Sequence, residues 1–287
     1  MNQIGVIIPV YNGEKTIEKS ISSLLQQTYT DWLAIIIDDG STDNTKSILN
    51  KYSGRKQFHI VHFNKNRGRP YARQEGLEIL KNKKLKYMCM LDADDWYYPD
   101  KLRHQFEIME CNHDLTLVSS AIGVTNGEFD LFKVIKPFLK FKRLYFSNFK
   151  YFIKLPHASS IIRVANIEKN INYNVKLKLS QDQDFLRQLL VNKTYAFDPK
   201  VQYIYNREDS FSLYKYRMSM HYNFISFKNL NLGTKANIAY FINNRIKYII
   251  VWILSLLNLK SIYMSRVGLS PTYSEKLQFE ENKRKLF

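Results

Sequence analysis

Apolar and polar positions change their period repeatedly along the first 125 residues. IGVIIPV (Ile4–Val10) is an almost unbroken apolar run, as a strand covered on both faces requires, and LAIIID (Leu33–Asp38) repeats it. FHIVHF (Phe58–Phe63), YMCML (Tyr87–Leu91) and LTLVSSAI (Leu115–Ile122) predict three further strands. Between the first two, Ile17, Ile21, Leu24 and Leu25 fall at i, i+4, i+7 and i+8, one apolar stripe on a helix. STDNTKSILNKY opens with the capping residues Ser41, Thr42 and Asp43 and predicts a second helix. RPYARQEGLEIL and PDKLRHQFEIME, the latter with Pro99 near its first turn, complete the alternation.

Strands alternating with helices predict an α/β fold: a mostly parallel sheet flanked by helices and joined by right-handed crossovers. Such sheets bind ligands outside the carboxyl ends of their strands. The polar clusters fall at those ends: YNGE after the first strand, DDGSTD after the second, NKNRGR after the third and DADD after the fourth.

Each cluster has a chemical and a plain structural reading. In an extended chain Asp92 and Asp94 point the same way and can approach a divalent cation whose other ligands are phosphates and water. The same acids would also suit the start of the helix near Pro99. Asp38 and Asp39 fit either solvated turn acids or an acceptor for the imide N–H of uracil. Arg67, Arg69 and Arg73 fit a pyrophosphate or base contact, or a solvated basic loop.

Charge divides the chain. Residues 1–130 hold 16 Lys+Arg against 17 Asp+Glu, and residues 131–287 hold 27 against 9. The second half should therefore meet something anionic: a membrane surface, nucleic acid or a phosphorylated substrate. No signal peptide precedes the first strand, and the two cysteines, Cys89 and Cys111, form no recognisable framework, which predicts a reducing cytoplasm.

Taken together, PVYNGEKTIEKSISSLLQQTY, IIIDDGSTDNT, NRGRPYARQEGL and LDADDWYYPDKL resemble, in order and spacing, the signature segments of the family 2 glycosyltransferases. The resemblance is strong over residues 1–125 and traceable to about residue 215. It implies a GT-A fold and an inverting sugar transfer from a nucleotide-sugar, a UDP-sugar, of the bacterial surface-polysaccharide type. By that resemblance Pro9, Val10 and Tyr11 pack around the base and Asp39 binds uracil. Asn66, Arg73 and Ala93 contact the donor, Asp92 lies on its ribose side, and Asp94 is the ligand of Mn²⁺ or Mg²⁺. Asp182, in KLSQDQDFLRQLL, matches the family's general base, with a helix over Phe185–Leu190 following it. Gln181 stands where the family usually has Glu, which touches how the acceptor is held. A first-turn acid is the structural alternative for Asp182. His157 and Ser159, in LPHASSIIRV, and Arg207, in YIYNREDSFS, match acceptor-side or donor-covering segments. A buried core histidine and an ion pair of Arg207 with Glu208 or Asp209 are the alternatives.

These readings divide the chain into a catalytic domain over 1–215 (donor half 1–125, acceptor half 126–215) and a basic, aromatic helical extension over 216–287. In that extension Tyr248–Leu257 is apolar and flanked by Arg245, Lys247, Lys260 and Arg266. The run is shorter than a membrane span needs, so the expectation is a helix lying on the cytoplasmic face of an anionic membrane. Packing against the catalytic domain or another subunit is the alternative. The acceptor is expected to be a saccharide or lipid-linked saccharide. A nucleotide-binding scaffold whose chemistry has decayed is the runner-up, and an oligomer is compatible with either. Nucleic acid is not expected as a partner, because the acidic rim would repel it and no known module is visible.

Overall fold

Strands β1 (Ile4–Val10) and β2 (Trp32–Asp38) are buried at every position, the consequence of near-continuous apolar runs in parallel register, Ile4 opposite Trp32 and Val10 opposite Asp38. The computed structural model describes residues 3–126, 130–146, 155–206, 213–228, 234–257, 259 and 268–286. β3 (Phe58–His62) extends this sheet beyond β2, and β4 (Tyr87–Met90) lies on the other side of β1, all parallel.

Helices α1 (Ile17–Leu25), α2 (Thr45–Asn50), α3 (Arg69–Asn82) and α4 (Lys101–Cys111) alternate with these strands. α1 buries Ile17, Ile21 and Leu24, whereas Leu25, its last residue, is exposed. α2 begins after Asn44, later than the predicted caps. Ser41 and Asp43 accept N–H groups of Asn12 and Glu14, and Asp43 also accepts Thr45 N–H at 3.0 Å at the start of α2, so this segment serves the neighbouring loop as well as the helix. α3 lies directly on β1 at Gly76, where a Cβ would sit 2.5 Å from Ile7 Cγ2.

Past β4 the pairing becomes mixed. The two-residue β5 (Trp96–Tyr97) pairs antiparallel with β10 (Thr194–Asn206), while β6 (Leu115–Thr125) pairs parallel with it. β9 (Ser160–Arg163) is inserted antiparallel between β4 and β6, giving the order β3-β2-β1-β4-β9-β6-β10-β5. β7 (Leu131–Ile135) and β8 (Lys142–Tyr145) add to β6 and β10.

Four further helices follow: α5 (Gln181–Leu190), α6 (Leu213–Lys228), α7 (Thr234–Leu256) and α8 (Tyr273–Leu286). α5 starts four residues before the predicted Phe185, which puts Asp182 in its first turn. α8 returns to the core. Phe279 is buried with its ring 5.8 Å from that of Trp96, and Glu275 pairs with Lys136 at 2.7 Å. The end of the chain therefore packs on the strand that follows the DADD loop.

Candidate active site

The carboxyl ends of β1 to β4 form one rim, and hydrogen bonds from backbone N–H groups to side-chain oxygens lace its loops together. Asn12 N–H donates to Ser41 Oγ at 2.9 Å and Thr42 N–H to Asn12 Oδ1 at 2.9 Å, joining the first two loops. Asp38 accepts Ser41 N–H at 3.0 Å and meets His62 Nδ1 at 2.8 Å. Asp39 accepts Arg67 N–H at 2.7 Å and Gly68 N–H at 2.8 Å, one on each oxygen, leaving each a second lone pair. Gly40 sits at φ +71°, and a Cβ there would lie 2.4 Å from the Lys65 carbonyl carbon. The second and third loops thus approach too closely for any other residue at that position.

Of the first-loop residues, Pro9 and Val10 are buried inside β1, while the Tyr11 ring is 48% exposed at the rim. Asn66 is exposed. Arg67 is also exposed, its guanidinium against the rings of Phe63 and Tyr71 at 4.9 and 4.7 Å. Arg69, the first residue of α3, is exposed, and its charge favours the ionised form of Asp92 and partly opposes the upward push on Asp94.

Arg73, one helical turn on, is buried and donates from Nη2 to Asp92 Oδ1 at 3.0 Å. Burial works against its charge, but Asp92, Tyr173 and Asp182 outweigh it and hold the guanidinium above its ordinary pKa. Burial likewise opposes ionisation of Asp92, and the charges of Arg73 and Arg69 keep it a carboxylate below its ordinary value. Asp94 opens to solvent next to the half-buried Ala93. Its surroundings and the Asp92 charge push its pKa up, the opposite direction from Asp92.

Asp95 faces inward. It accepts Tyr203 O–H at 2.5 Å and Asn206 N–H at 2.9 Å, and its own carbonyl accepts Ser20 O–H at 2.6 Å. Asp95 thereby ties the DADD loop to α1 through its carbonyl and to β10 through its side chain.

Among the described residues, no group of three His, Cys, Asp or Glu side chains could hold a metal by itself. The residues present fit a different arrangement. Asp94 offers an open hard-oxygen ligand beside a second carboxylate, which suits a hard cation sharing its coordination with a ligand's phosphates.

On the other wall, α5 presents Asp182 half-exposed, with no hydrogen-bond partner among the described residues. The other first-turn acid, Asp184, is buried and accepts Gln188 Nε2 at 2.7 Å. Both acids stand in the first turn of α5, where the helix dipole favours a negative charge. Gln181 is buried beside Asp182, and Ser180, the residue before α5, holds a left-handed φ of +61°. Asp182 and Asp92 act electrostatically on the same three groups: Arg73, His157 and Tyr173.

His157 is buried, its Nε2 3.1 Å from Tyr173 Oη, and its Nδ1 has no partner among the described residues. Burial, with Arg73 adding to it, lowers its pKa to about 4 and keeps it neutral. Ser159 is fully buried and donates to Ser120 O at 2.6 Å, so it braces the sheet. Arg207, Glu208 and Asp209 lie outside the described residues. Tyr173 bonds to His157 and Tyr203 to Asp95. Nothing in their local sequence marks them, because their partners lie 16 and 108 residues away.

Residues 5–169 match the family described as Glycosyl transferase family 2. An uncharacterized glycosyltransferase of Methanocaldococcus jannaschii is 31% identical over 230 residues, 78% of this chain and 73% of that one. TuaG of Bacillus subtilis, whose name places it in teichuronic acid biosynthesis, is 38% identical over 107 residues, 37% of this chain and 41% of TuaG. Among solved structures, S. aureus TarS 1-349 in complex with UDP-GlcNAc superposes with a TM-score of 0.64 at 20% identity, covering 100% of this chain and 80% of that one. That likeness is one of fold.

Proposed function

The chain belongs to glycosyltransferase family 2, and from that premise we propose that it transfers a sugar from a UDP-sugar to an acceptor hydroxyl, with inversion. One observation supports the reading: Arg73 pairs with Asp92 at 3.0 Å, and Asp182 on α5 bears on the same buried Arg73 and on His157, as two walls of one site would.

In this reading Tyr11 covers the uracil, and the remaining lone pairs of Asp39 meet its imide N–H. Asn66 and Arg69 face the diphosphate at the start of α3, where the helix dipole also favours negative charge. Arg73 acts through Asp92, holding that carboxylate towards the ribose. Asp94, with Ala93 beside it, would hold Mn²⁺ or Mg²⁺, which when bound supplies positive charge to the leaving diphosphate.

Asp182 takes the proton of the acceptor hydroxyl as its oxygen bonds to the anomeric carbon. The bond from that carbon to the phosphate oxygen breaks, and UDP leaves with the electron pair. Gln181 and His157 line the acceptor side. Neutral His157 offers a polar atom without placing a second charge beside Arg73. The similarity to TuaG supports a surface-glycan acceptor, a saccharide or lipid-linked saccharide, and the fold shared with TarS supports UDP as the nucleotide.

The test is UDP release with Mn²⁺ or Mg²⁺ and a saccharide acceptor. Asp182→Asn is expected to lower kcat by about 10²–10⁴-fold while UDP still binds. Turnover unchanged in Asp182→Asn would remove that residue as base. UDP-sugar binding without turnover in the wild type would favour the nucleotide-binding scaffold instead.

A further inference from the structure

Helix α7 is amphipathic in the reverse sense. Its inward side carries Tyr240, Asn244 and Val251, with Tyr240 stacked on Phe227 of α6 at 4.0 Å. Its outward side carries Ile238, Ile242, Ile246, Ile249, Ile253 and Leu256, all at least 44% exposed, with Trp252 beside them. A helix facing only water does not place its apolar residues outward.

Charge identifies what covers this face. Residues 210–274 contain eight Lys or Arg and no Asp or Glu. A second copy docking here through a symmetric contact would set the exposed Arg217, Arg245 and Lys247 of each copy against like charge. An anionic bilayer instead satisfies both the apolar face and the charge. No helix among the described residues is long and apolar enough to cross a membrane. Asn243, Asn244, Arg245 and Lys247 interrupt α7, so it suits the plane of the interface.

A cleft of about 470 Å³ between α6 and α7 adds a head-group site. It is lined by Tyr214, Arg217, His221, Phe224, Arg245 and Tyr248, with Arg245 lying 5.0 Å over the ring of Phe241. Two guanidiniums and an imidazole at the edge of an apolar face match a lipid phosphate whose chains continue along that face.

We propose that the α6–α7 pair seats the protein on an anionic lipid surface, with the outward face of α7 in the interface and a lipid phosphate in the Arg217–His221–Arg245 cleft. The seat is fixed to the candidate active site. Arg187 of α5 donates to Ser226 Oγ at 2.6 Å and to Asn223 Oδ1 at 3.0 Å on α6, and Ser180 meets Ser219 Oγ at 3.1 Å. This placement does not depend on the sugar transferred.

Trp252 provides the readout, because the other two tryptophans, Trp32 and Trp96, are buried. The full chain is mixed with phosphatidylglycerol–phosphatidylcholine vesicles or with phosphatidylcholine alone. With anionic vesicles, Trp252 emission should shift to the blue, brominated lipid should quench it, and the protein should float with the vesicles. Ile246→Glu/Ile253→Glu should abolish flotation, with both substitutions on exposed positions that leave the core intact. Arg217→Gln and Arg245→Gln should each weaken binding about fivefold. Flotation unchanged in the double glutamate variant overturns the proposal. A stable dimer with Trp252 already blue-shifted and no vesicle binding overturns it in favour of a second copy. Inorganic phosphate reproducing the shift without vesicles overturns it in favour of a soluble anion.

Discussion

Arg73 and Asp92 form an ion pair at 3.0 Å in which the guanidinium is nearly closed off from water. They come from different elements, α3 and the loop after β4, and their contact joins the basic third loop to the acidic fourth. A buried charge that loses its partner is costly, whereas removing both partners is far less so. Arg73→Met should therefore destabilise the protein by about 3 kcal/mol. Arg73→Met/Asp92→Asn should regain part of that stability without regaining UDP release. Urea midpoints and turnover of both variants check this. Equal stability of single and double variants would mean that the pair is not coupled.

How much of this was legible in the sequence depends on range. β1 and β2 were, because unbroken apolar runs have few other uses, and so were the rim loops, because strand order decides where they fall. Asp94 and Asp182 stand where their local motifs put them, one open at the rim and one in the first turn of α5. The Arg73–Asp92 pair was not legible: both residues were singled out for ligand contact, and their mutual contact exists only once α3 lies on β1. Tyr173 and Tyr203 have no local signature at all. The apolar run in α7 was plain, but which side faces outward was decided by α6. The return of α8 to Trp96 was invisible for the same reason. It also means that cutting away the whole tail would expose the core, so point variants are the sounder probe.

Gly40 gives a backbone prediction. Alanine would have to hold φ near +71° with its Cβ 2.4 Å from the backbone of Lys65. Gly40→Ala should cost roughly 2 kcal/mol or more. It should also weaken UDP binding, since Asp39 and the third loop are displaced together. Thermal melting with and without UDP measures both effects. A wild-type Tm and an unchanged UDP-induced shift would show that the loops do not need this contact.

His157 sets a pH dependence of stability. Its pKa is about 4 in the fold against 6.5 ordinarily, so between those values the unfolded chain binds more protons than the folded one. Stability therefore rises with pH across that window and is lost as pH falls from 6.5 through about 4, with no further contribution above 6.5. The full effect is about 3 kcal/mol at the acid end. His157→Gln, which cannot titrate, should flatten this part of the curve of unfolding free energy against pH. An acid slope identical to that of the wild type would assign the effect to other groups.

Tyr203 tests whether the inward-facing carboxylate of the DADD loop is structural. Its hydroxyl donates to Asp95 Oδ2 at 2.5 Å and accepts Asp92 N–H at 3.3 Å, while its ring packs 5.6 Å from that of Tyr97. Phenylalanine keeps the ring and removes both bonds, leaving a buried carboxylate oxygen without its donor. Tyr203→Phe should lower stability by about 1–3 kcal/mol with an unchanged urea m-value. Because the hydroxyl holds the backbone from which Asp92 and Asp94 project, looser donor binding should accompany the loss, seen as a raised KM for the UDP-sugar. Asn206 N–H still donates to the other Asp95 oxygen, so the loop should remain folded enough for turnover to be measured. A loss of stability with an unchanged KM would confine Tyr203 to bracing β10. A raised KM would make it a positioning residue of the donor site.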